Sequence, residues 1–172
     1  EQRRTIETLN NYIDSERIVN ESLTRITLED DFDRAIDDML RIIGENAGAD
    51  RSYIFRYRDG DLDRSDNIYE WVREGIEPEI ANLQNVDMTQ LPNWKRLLLA
   101  RREIVIPDIA HPPVGLEPEA EFLSRQSIRS LLVGGIWIDG RLYGYVGLDF
   151  VRKQRVFTDC DIHTVHSIVN LF

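Results

Sequence analysis

Two apolar runs separated by Asp139-Gly140 constrain the fold of this chain more than any other feature. The runs cover residues 128–138 and 141–150, and Asp-Gly tolerates the positive φ angles of a tight type I′ turn, so we predict an antiparallel β-hairpin. Both faces are largely uncharged, and we therefore expect cover on each side of it. Strand alternation predicts one face with Leu142, Gly144, Val146, Leu148 and Phe150, and another with Tyr143, Tyr145, Gly147 and Asp149.

The rest of the sequence predicts helices at both ends of the chain with strands between them. Helical periodicity covers residues 3–28 and about 31–48, and a last helix begins at Thr158 with a variant of the capping box. Short helices are predicted from Pro92 and over 117–126, on either side of irregular stretches. Three more strands are predicted at 51–57, 68–74 and 103–108. This order predicts an α+β sandwich, with an antiparallel sheet of five to six strands and a loop-rich insertion.

The first 28 residues form a separate unit in this prediction, a connecting helix that precedes a domain at 29–172. Its apolar positions follow a heptad pattern that is interrupted by Glu16 and Asn20. Polar residues at such positions set the register of coiled coils at some cost in stability. A coiled coil and an ordinary amphipathic helix both fit this pattern.

Composition excludes several classes of protein. A formal charge of −10 disfavours nucleic acid as a partner, because phosphate binding relies on Lys and Arg. No stretch approaches the roughly 20 apolar residues that cross a bilayer, so we expect no direct membrane contact. A single cysteine, Cys160, forms no internal disulfide, which favours a reducing, cytoplasmic location. No signal peptide is visible, and both ends lie in helical patterns, so we expect a piece of a longer protein.

Several segments together carry a family resemblance. They are Arg51-Ser-Tyr-Ile-Phe, Trp94 on a short helix, the strand Ile104-Val-Ile-Pro-Asp-Ile, Ser130-Leu-Leu-Val, the run from Gly140 to Leu148, and Arg155-Val-Phe-Thr-Asp-Cys-Asp. These segments resemble the GAF family of sensory domains, which is related to PAS domains, over roughly residues 30–172. The resemblance implies terminal helices on one face of the sheet and an insertion on the other that roofs a small-molecule pocket in ligand-binding members.

The resemblance also implies partners. Such domains form homodimers through their terminal helices and stand in tandem with an output module, such as a histidine kinase of a two-component system or a cyclic-dinucleotide enzyme. We therefore expect a downstream signalling domain in cis. The fragment itself is expected to be non-catalytic, because fold does not fix function and no coherent catalytic set is visible.

The chemistry of several GAF subclasses is missing. Bilin-binding members attach a tetrapyrrole through a cysteine of the insertion, whereas Cys160 stands at the start of the last helix, which disfavours a covalent bilin. Members that reduce methionine sulfoxide need a second, resolving thiol. The Asn-Lys-Phe-Asp-Glu signature of cyclic-nucleotide binders is not in this sequence. We expect no cofactor, while an unidentified small-molecule ligand is compatible with the sequence.

Cys160, His163 and His166 suggest a metal or catalytic site. At about 100° per residue, Cys160 and His166 lie about 120° apart on a helix, too wide for one ion without other elements. We therefore predict no metal site. A helix N-terminus can still lower a thiol pKa, which leaves a redox-sensing Cys160 as a minority hypothesis.

The insertion and the aromatic strand faces provide candidate ligand contacts, since small-ligand sites combine apolar surface with a few polar groups. The candidates are Tyr53, Phe55, Tyr69, Trp71, Trp94, Asp108, His111 and Arg129.

Three functions compete on this basis. The preferred hypothesis is a regulatory sensor domain that binds a small molecule or dimerises to control a downstream output. The alternative is a structural dimerisation or linker domain whose pocket is closed by apolar side chains. An enzyme that uses Cys160, or His111 with Asp108, is the third.

Overall fold

All six strands in the described part of the chain join in one antiparallel sheet. The computed structural model describes residues 13–21 and 32–170. The strand order is β3-β2-β1-β6-β5-β4, which places β1 and β6 at the centre. The strands are β1 (Arg51–Arg58), β2 (Asp61–Val72), β3 (Val86–Asp87), β4 (Ile104–Ile106), β5 (Ser130–Ile138) and β6 (Arg141–Phe150). The predicted α+β fold class is confirmed.

The hairpin of β5 and β6 forms as predicted, with Asp139 at φ 50° and Gly140 at φ 73° in its turn. The predicted faces hold from Tyr145 to Phe150, but they are wrong at the start of β6. Ile136 pairs with Gly144, but the next residue, Trp137, pairs with Leu142. Tyr143 of β6 is therefore skipped in the pairing and forms a bulge. This bulge turns Leu142 towards the Tyr145 face and Tyr143 towards the opposite face.

Helices cover one face of the sheet. They are α1, described over residues 13–21, α2 (Phe32–Ala47) and α5 (Asp159–Val169). Side chains of α2 and α5 bury an aliphatic cluster against Ile54, Leu132, Val146 and Leu148. A capping box starts α5, because the Thr158 hydroxyl accepts from the backbone N–H of Asp161 and the Asp161 carboxylate accepts from that of Thr158.

The segment between β2 and β5, residues 73–129, is the insertion, and most of it covers the opposite face. It carries β3, a 3₁₀ turn (Met88–Gln90), α3 (Pro92–Leu99), β4 and α4 (Glu117–Ser124). Trp94 and Leu98 of α3 and Leu123 of α4 belong to one buried cluster with the aromatic side chains of β1 and β6. The two faces of the sheet therefore carry separate clusters, and the strand residues Tyr53, Phe55, Tyr57 and Tyr145 lie in the one under the insertion.

Element boundaries differ from the prediction mainly in the second quarter of the chain. Strand β2 begins at Asp61 rather than at Ile68, because polar residues of the hairpin arm pair with β1. The two-residue strand β3 was not predicted. Of the connecting unit predicted at 1–28, residues 1–12 and 22–28 lie outside the described residues, while 13–21 are helical. Within the described ranges, no helix is long and apolar enough to span a bilayer.

Gly144 permits the close pairing of β1 and β6 at the centre of the sheet. A Cβ atom at this position would overlap the backbone carbonyl of Phe55. The neighbouring strand contains a useful contrast, because a Cβ at Gly135 would meet the flexible Leu142 side chain at 3.1 Å and no backbone atom.

Replacing Gly144 with Ala should therefore lower the free energy of unfolding by about 3 kcal/mol, since two backbones must separate to admit the methyl group. Chemical denaturation measures the loss. Gly135→Ala is the matched control and should cost clearly less. Equal losses for the two variants would contradict this account of the β1–β6 contact.

Candidate functional site

A small cavity lies between the sheet and the insertion. Its walls come from β1, β2 and β6 below and from the insertion above. The lining residues are Tyr53, Phe55, Glu70, Glu79, Leu83, Val86, Leu91, Trp94, Phe122, Leu123, Gln126, Tyr145 and Asp149. Carboxylates and aromatic rings thus line the same cavity.

Four aromatic rings form the apolar part of the cavity. Phe55 of β1 stacks on Tyr145 of β6 with centroids 4.8 Å apart. Tyr53 meets Phe55 edge-on at 5.4 Å, and Trp94 meets Tyr145 edge-on at 5.5 Å. The rings converge because strand alternation directs these three strand residues to one face, and edge-on pairs of this kind add about 0.5–1.5 kcal/mol each beyond area burial. The wall is therefore tightly packed.

Asp149 forms the polar end of the cavity. Its Oδ1 accepts a hydrogen bond from the Tyr53 hydroxyl at 2.8 Å, and its Oδ2 lies 3.5 Å from Nη1 of Arg51. Burial raises the pKa of Asp149 to about 7, and the charge of Arg51 and the Tyr53 hydrogen bond only partly oppose that rise. The carboxyl therefore titrates near neutral pH.

Arg51 ties the sheet to the insertion at two points. Its Nε donates to the carbonyl of Glu77 at 3.0 Å, and both terminal nitrogens donate to the carbonyl of Gln126 at 3.3 Å. The same guanidinium lies 3.8 Å from the Glu79 carboxylate. One buried cation thus holds two separate stretches of the insertion over β1.

Glu70 of β2 orders the insertion next to Arg51. Its carboxylate accepts hydrogen bonds from the backbone N–H groups of Glu79 and Ile80 at 2.9 to 3.1 Å. Burial raises the pKa of Glu70 above its ordinary value, although the two backbone bonds lower it in part. Two of the three carboxyl groups in the cavity lining thus have raised pKa values.

Unpaired polar groups lie on this face of the sheet. Trp94 lines the cavity and is 2% exposed, yet its indole Nε1 has no hydrogen-bond partner among the described residues. The Tyr57 hydroxyl and the Asn67 side-chain amide are also buried and without a partner there. Buried polar groups are normally paired with protein or water, so each of these atoms is a position where a water molecule or a ligand group would gain a hydrogen bond.

The cavity is small as it stands. The cavity volume is about 30 Å³, enough for about two water molecules. Apolar side chains of the insertion fill most of the remaining space over the sheet. A larger occupant therefore requires the insertion to lift away from β1 and β6.

The structure brings together three of the candidate ligand contacts and separates five. Tyr53, Phe55 and Trp94 line the cavity. Tyr69 and Trp71 lie on the helix-covered face, where Tyr69 donates to Asp33 and Trp71 packs against Gly44. Tyr69 pairs with Ile54 and Trp71 pairs with Ser52, so the two β2 aromatics share the face of those β1 residues and not that of Phe55.

The remaining three candidates lie at the sheet edge, outside the cavity lining. Asp108 and His111 pair with each other in the loop after β4, with Nδ1 and Oδ2 2.8 Å apart, and the His111 side chain is 86% exposed. Arg129 is an exposed residue just before β5. Sequence reasoning did not select Glu70, Glu79, Tyr145 and Asp149, although the predicted alternation of β6 already placed the last two on one face.

The side chains of Cys160, His163 and His166 contact three different partners. Cys160 Sγ lies 3.0 Å from the Ser15 hydroxyl, His163 Nε2 lies 3.0 Å from the Glu16 carboxylate, and His166 pairs with Glu103. In the described part of the chain, no three His, Cys, Asp or Glu residues form a group that could hold a metal ion. These contacts tie α5 to α1 and to the β4 edge.

Comparisons with a family model and with known proteins both identify similarity to sensory and signalling proteins. The sequence model of the GAF domain matches residues 31–172. The methanogenesis regulatory histidine kinase FilI of Methanothrix harundinacea is 32% identical over 139 residues, a match that covers 77% of this chain and 15% of that kinase.

Solved structures share the fold at low identity. The phycocyanobilin-bound GAF domain from a cyanobacterial phytochrome has a TM-score of 0.74 at 19% identity, covering 91% of this chain and 90% of that chain. The phycoerythrobilin-bound GAF domain from a cyanobacterial phytochrome has a TM-score of 0.75 at 16% identity and covers 92% of each chain.

These structures correct the cofactor prediction. We expected no cofactor and disfavoured a bilin, yet the two similar GAF domains hold phycocyanobilin and phycoerythrobilin, so the expectation of no cofactor is wrong for this fold. In the present packing the residues do not fit such a group. The cavity holds about two water molecules, and Cys160 lies on the helix-covered side of the sheet.

Replacing Asp149 with Asn should change how stability depends on pH. The folded-state pKa of about 7 lies above the ordinary 3.8, so this contribution to stability is complete below about pH 4 and is lost as the pH rises through about 7. The free energy of unfolding of the wild-type chain should therefore fall relative to Asp149→Asn across that window, by at most about 1.4 kcal/mol per pH unit. Urea denaturation at each pH measures the difference.

Asp66→Asn is the control, because the pKa of Asp66 is shifted in the opposite direction from that of Asp149. Hydrogen bonds from Arg58 and from the Asn85 backbone lower its pKa, so its contribution is lost as the pH falls rather than as it rises. A pH-independent difference between wild type and Asp149→Asn would show that this carboxyl does not titrate as described.

Proposed function

This chain belongs to the GAF domain family, and from that premise we propose that it is a non-catalytic sensor domain that binds a small molecule in the cavity under its insertion. The observation that carries the proposal is the cavity lining. It combines packed aromatic rings with a buried and a half-buried carboxyl group of raised pKa, Asp149 and Glu70, and with an unpaired indole N–H. Purely structural packing has no need of an unpaired indole N–H, since a buried unpaired polar group costs stability.

The output is a signalling module in cis, and a histidine kinase of a two-component system is the form we favour. Support comes from the relative, which is a regulatory histidine kinase that this chain matches over 15% of its length. A cytoplasmic location belongs to the same proposal and agrees with the single cysteine.

Dimerisation through the terminal helices is the second part of the proposal. In α1, Ile13 is 55% exposed while Ser15 is buried against α5. An apolar side chain that faces away from its own domain beside the packed α1–α5 pair offers a contact for a second copy. The two helices then form one surface across which copies associate.

A structural linker remains the second candidate, and one observation favours it. The insertion is packed onto the sheet, and its apolar side chains fill most of the space where a ligand would lie. Under this alternative the domain holds the dimer together and the cavity has no occupant.

Ligand retention separates the two candidates. We expect a small molecule to copurify with the chain, to be released on denaturation and to be detected by mass spectrometry at about one per chain. Leu83→Trp places an indole in the cavity and should reduce the yield about tenfold or more. Leu99→Trp is the matched control, because Leu99 is 45% exposed on α3, and it should retain the molecule.

Equal yields from wild type, Leu83→Trp and Leu99→Trp would place the molecule elsewhere, and no molecule from any of them would favour the linker function. Both outcomes contradict ligand sensing through this cavity.

Replacing Ile13 with Glu should weaken the dimer about tenfold or more, because the substitution places a charge in an apolar contact. Sedimentation over a range of chain concentrations measures the dissociation constant. Val114→Glu is the control, since Val114 is 99% exposed on the insertion, away from α1 and α5. A dimer that both variants leave unchanged, or a chain that stays monomeric at high concentration, would contradict this interface.

A further inference from the structure

We propose that the cavity recognises a small organic cation, an ammonium group carried on an aromatic body. This inference rests on the proposed sensor function and names the chemical class of its ligand. The ammonium group would lie at the carboxylate end of the cavity and the ring would lie against the aromatic wall.

The charges at the polar end of the cavity favour a cation. Three carboxyl groups line it, those of Glu70, Glu79 and Asp149. Arg51 lies 3.5 Å from Asp149 and 3.8 Å from Glu79, but it also donates to two backbone carbonyls of the insertion. One guanidinium thus faces more negative charge than it can neutralise. An ammonium group supplies three N–H donors and the missing positive charge.

Titration of the carboxyl groups supports this imbalance. Burial raises the pKa of Glu70 and of Asp149, the latter to about 7. Raised values mean that the folded protein does not fully stabilise the charged forms. A bound cation would stabilise them, so binding would release protons near neutral pH.

The aromatic wall suits the same ligand. Tyr53, Phe55, Trp94 and Tyr145 all line the cavity and pack on one another there. Aromatic rings attract organic cations through their negative faces, and aromatic cages are a recurrent way of binding ammonium ligands. The unpaired Nε1 of Trp94 adds a donor that a hydroxyl or other acceptor on the ligand would satisfy.

Binding of such a ligand also requires movement of the insertion. An arylalkylammonium is larger than the roughly two water molecules that the cavity holds. The contacts over the polar end, from Arg51 to the carbonyls of Glu77 and Gln126, are the ones that opening would strain. Arg51 therefore couples binding of the ligand to displacement of the insertion.

Three probes of matched shape test the charge preference: tyramine, the neutral tyrosol and the anionic 4-hydroxyphenylacetate. Isothermal titration with the purified chain should give affinities in the order tyramine, tyrosol, 4-hydroxyphenylacetate, with about tenfold or more between the first two, the effect of one charge-assisted hydrogen bond. Tyramine affinity should also rise between about pH 6 and pH 8, as Asp149 ionises beside Arg51, Tyr53 and Glu70, while tyrosol affinity stays constant.

Glu79→Gln removes one cavity charge at nearly constant shape. It should weaken tyramine about tenfold and leave tyrosol unchanged. Glu77→Gln is the matched control, because Glu77 is exposed on the same segment and its side chain is not part of the cavity lining. Because wild type alone gives the charge order and the pH dependence, the test does not depend on the stability of the Glu79→Gln variant.

Two results would overturn the cation class. One is a neutral or anionic probe that binds wild type at least as tightly as tyramine, and the other is no measurable binding of any of the three. Neither result by itself removes the sensor function, which falls only if no molecule copurifies with the chain or if Leu83→Trp leaves its yield unchanged.

Discussion

The Arg51 guanidinium is the interaction on which the arrangement of sheet and insertion depends. It lies at the start of the central strand β1, is almost fully buried, and holds the insertion at Glu77 and at Gln126. Asp149, which pairs with Arg51 on the neighbouring strand β6, forms an ion pair with this guanidinium. Removal of one partner from a buried pair leaves an uncompensated charge, which is usually far more costly than the pair is stabilising. Electrostatic interactions, as well as apolar packing, therefore hold the insertion on the centre of the sheet.

Much of the fold was predictable because its signals are local. Asp139-Gly140 between two apolar runs predicts the hairpin, and the Thr158–Asp161 capping box predicts the start of α5. The misassigned positions have non-local causes. The bulge opposite Ile136 and Trp137 is set by how two strands pair, and it reverses the faces of Leu142 and Tyr143. Periodicity within one strand cannot reveal a register shift between two.

The candidate site was predictable in part for the same reason. Tyr53 and Phe55 alternate on one strand, and Trp94 lies on a short amphipathic helix, so their burial follows from pattern alone. Tyr69 and Trp71 follow an equally regular pattern, yet their pairing with Ile54 and Ser52 places them under the helices. Glu70 and Glu79 carry no apolar signal at all. Both are half-buried; Glu70 accepts from backbone N–H groups and Glu79 lies beside Arg51, contacts that only the folded chain brings together.

Strand β6 connects the cavity to the helix face of the domain. The Asp149 side chain faces the cavity, while its carbonyl accepts a hydrogen bond from the backbone N–H of Asp50. The Asp50 carboxylate in turn accepts from the backbone N–H groups of Val151 and Arg152, where the chain leaves the sheet towards α5.

The same stretch is fixed a second time, because the Ser130 hydroxyl accepts from the backbone N–H of Arg155. Densely packed interiors transmit displacement rather than absorb it. We therefore infer that a displacement of Asp149 would reach the segment leading into α5 through Asp50, and that the Ser130–Arg155 hydrogen bond fixes this segment as well.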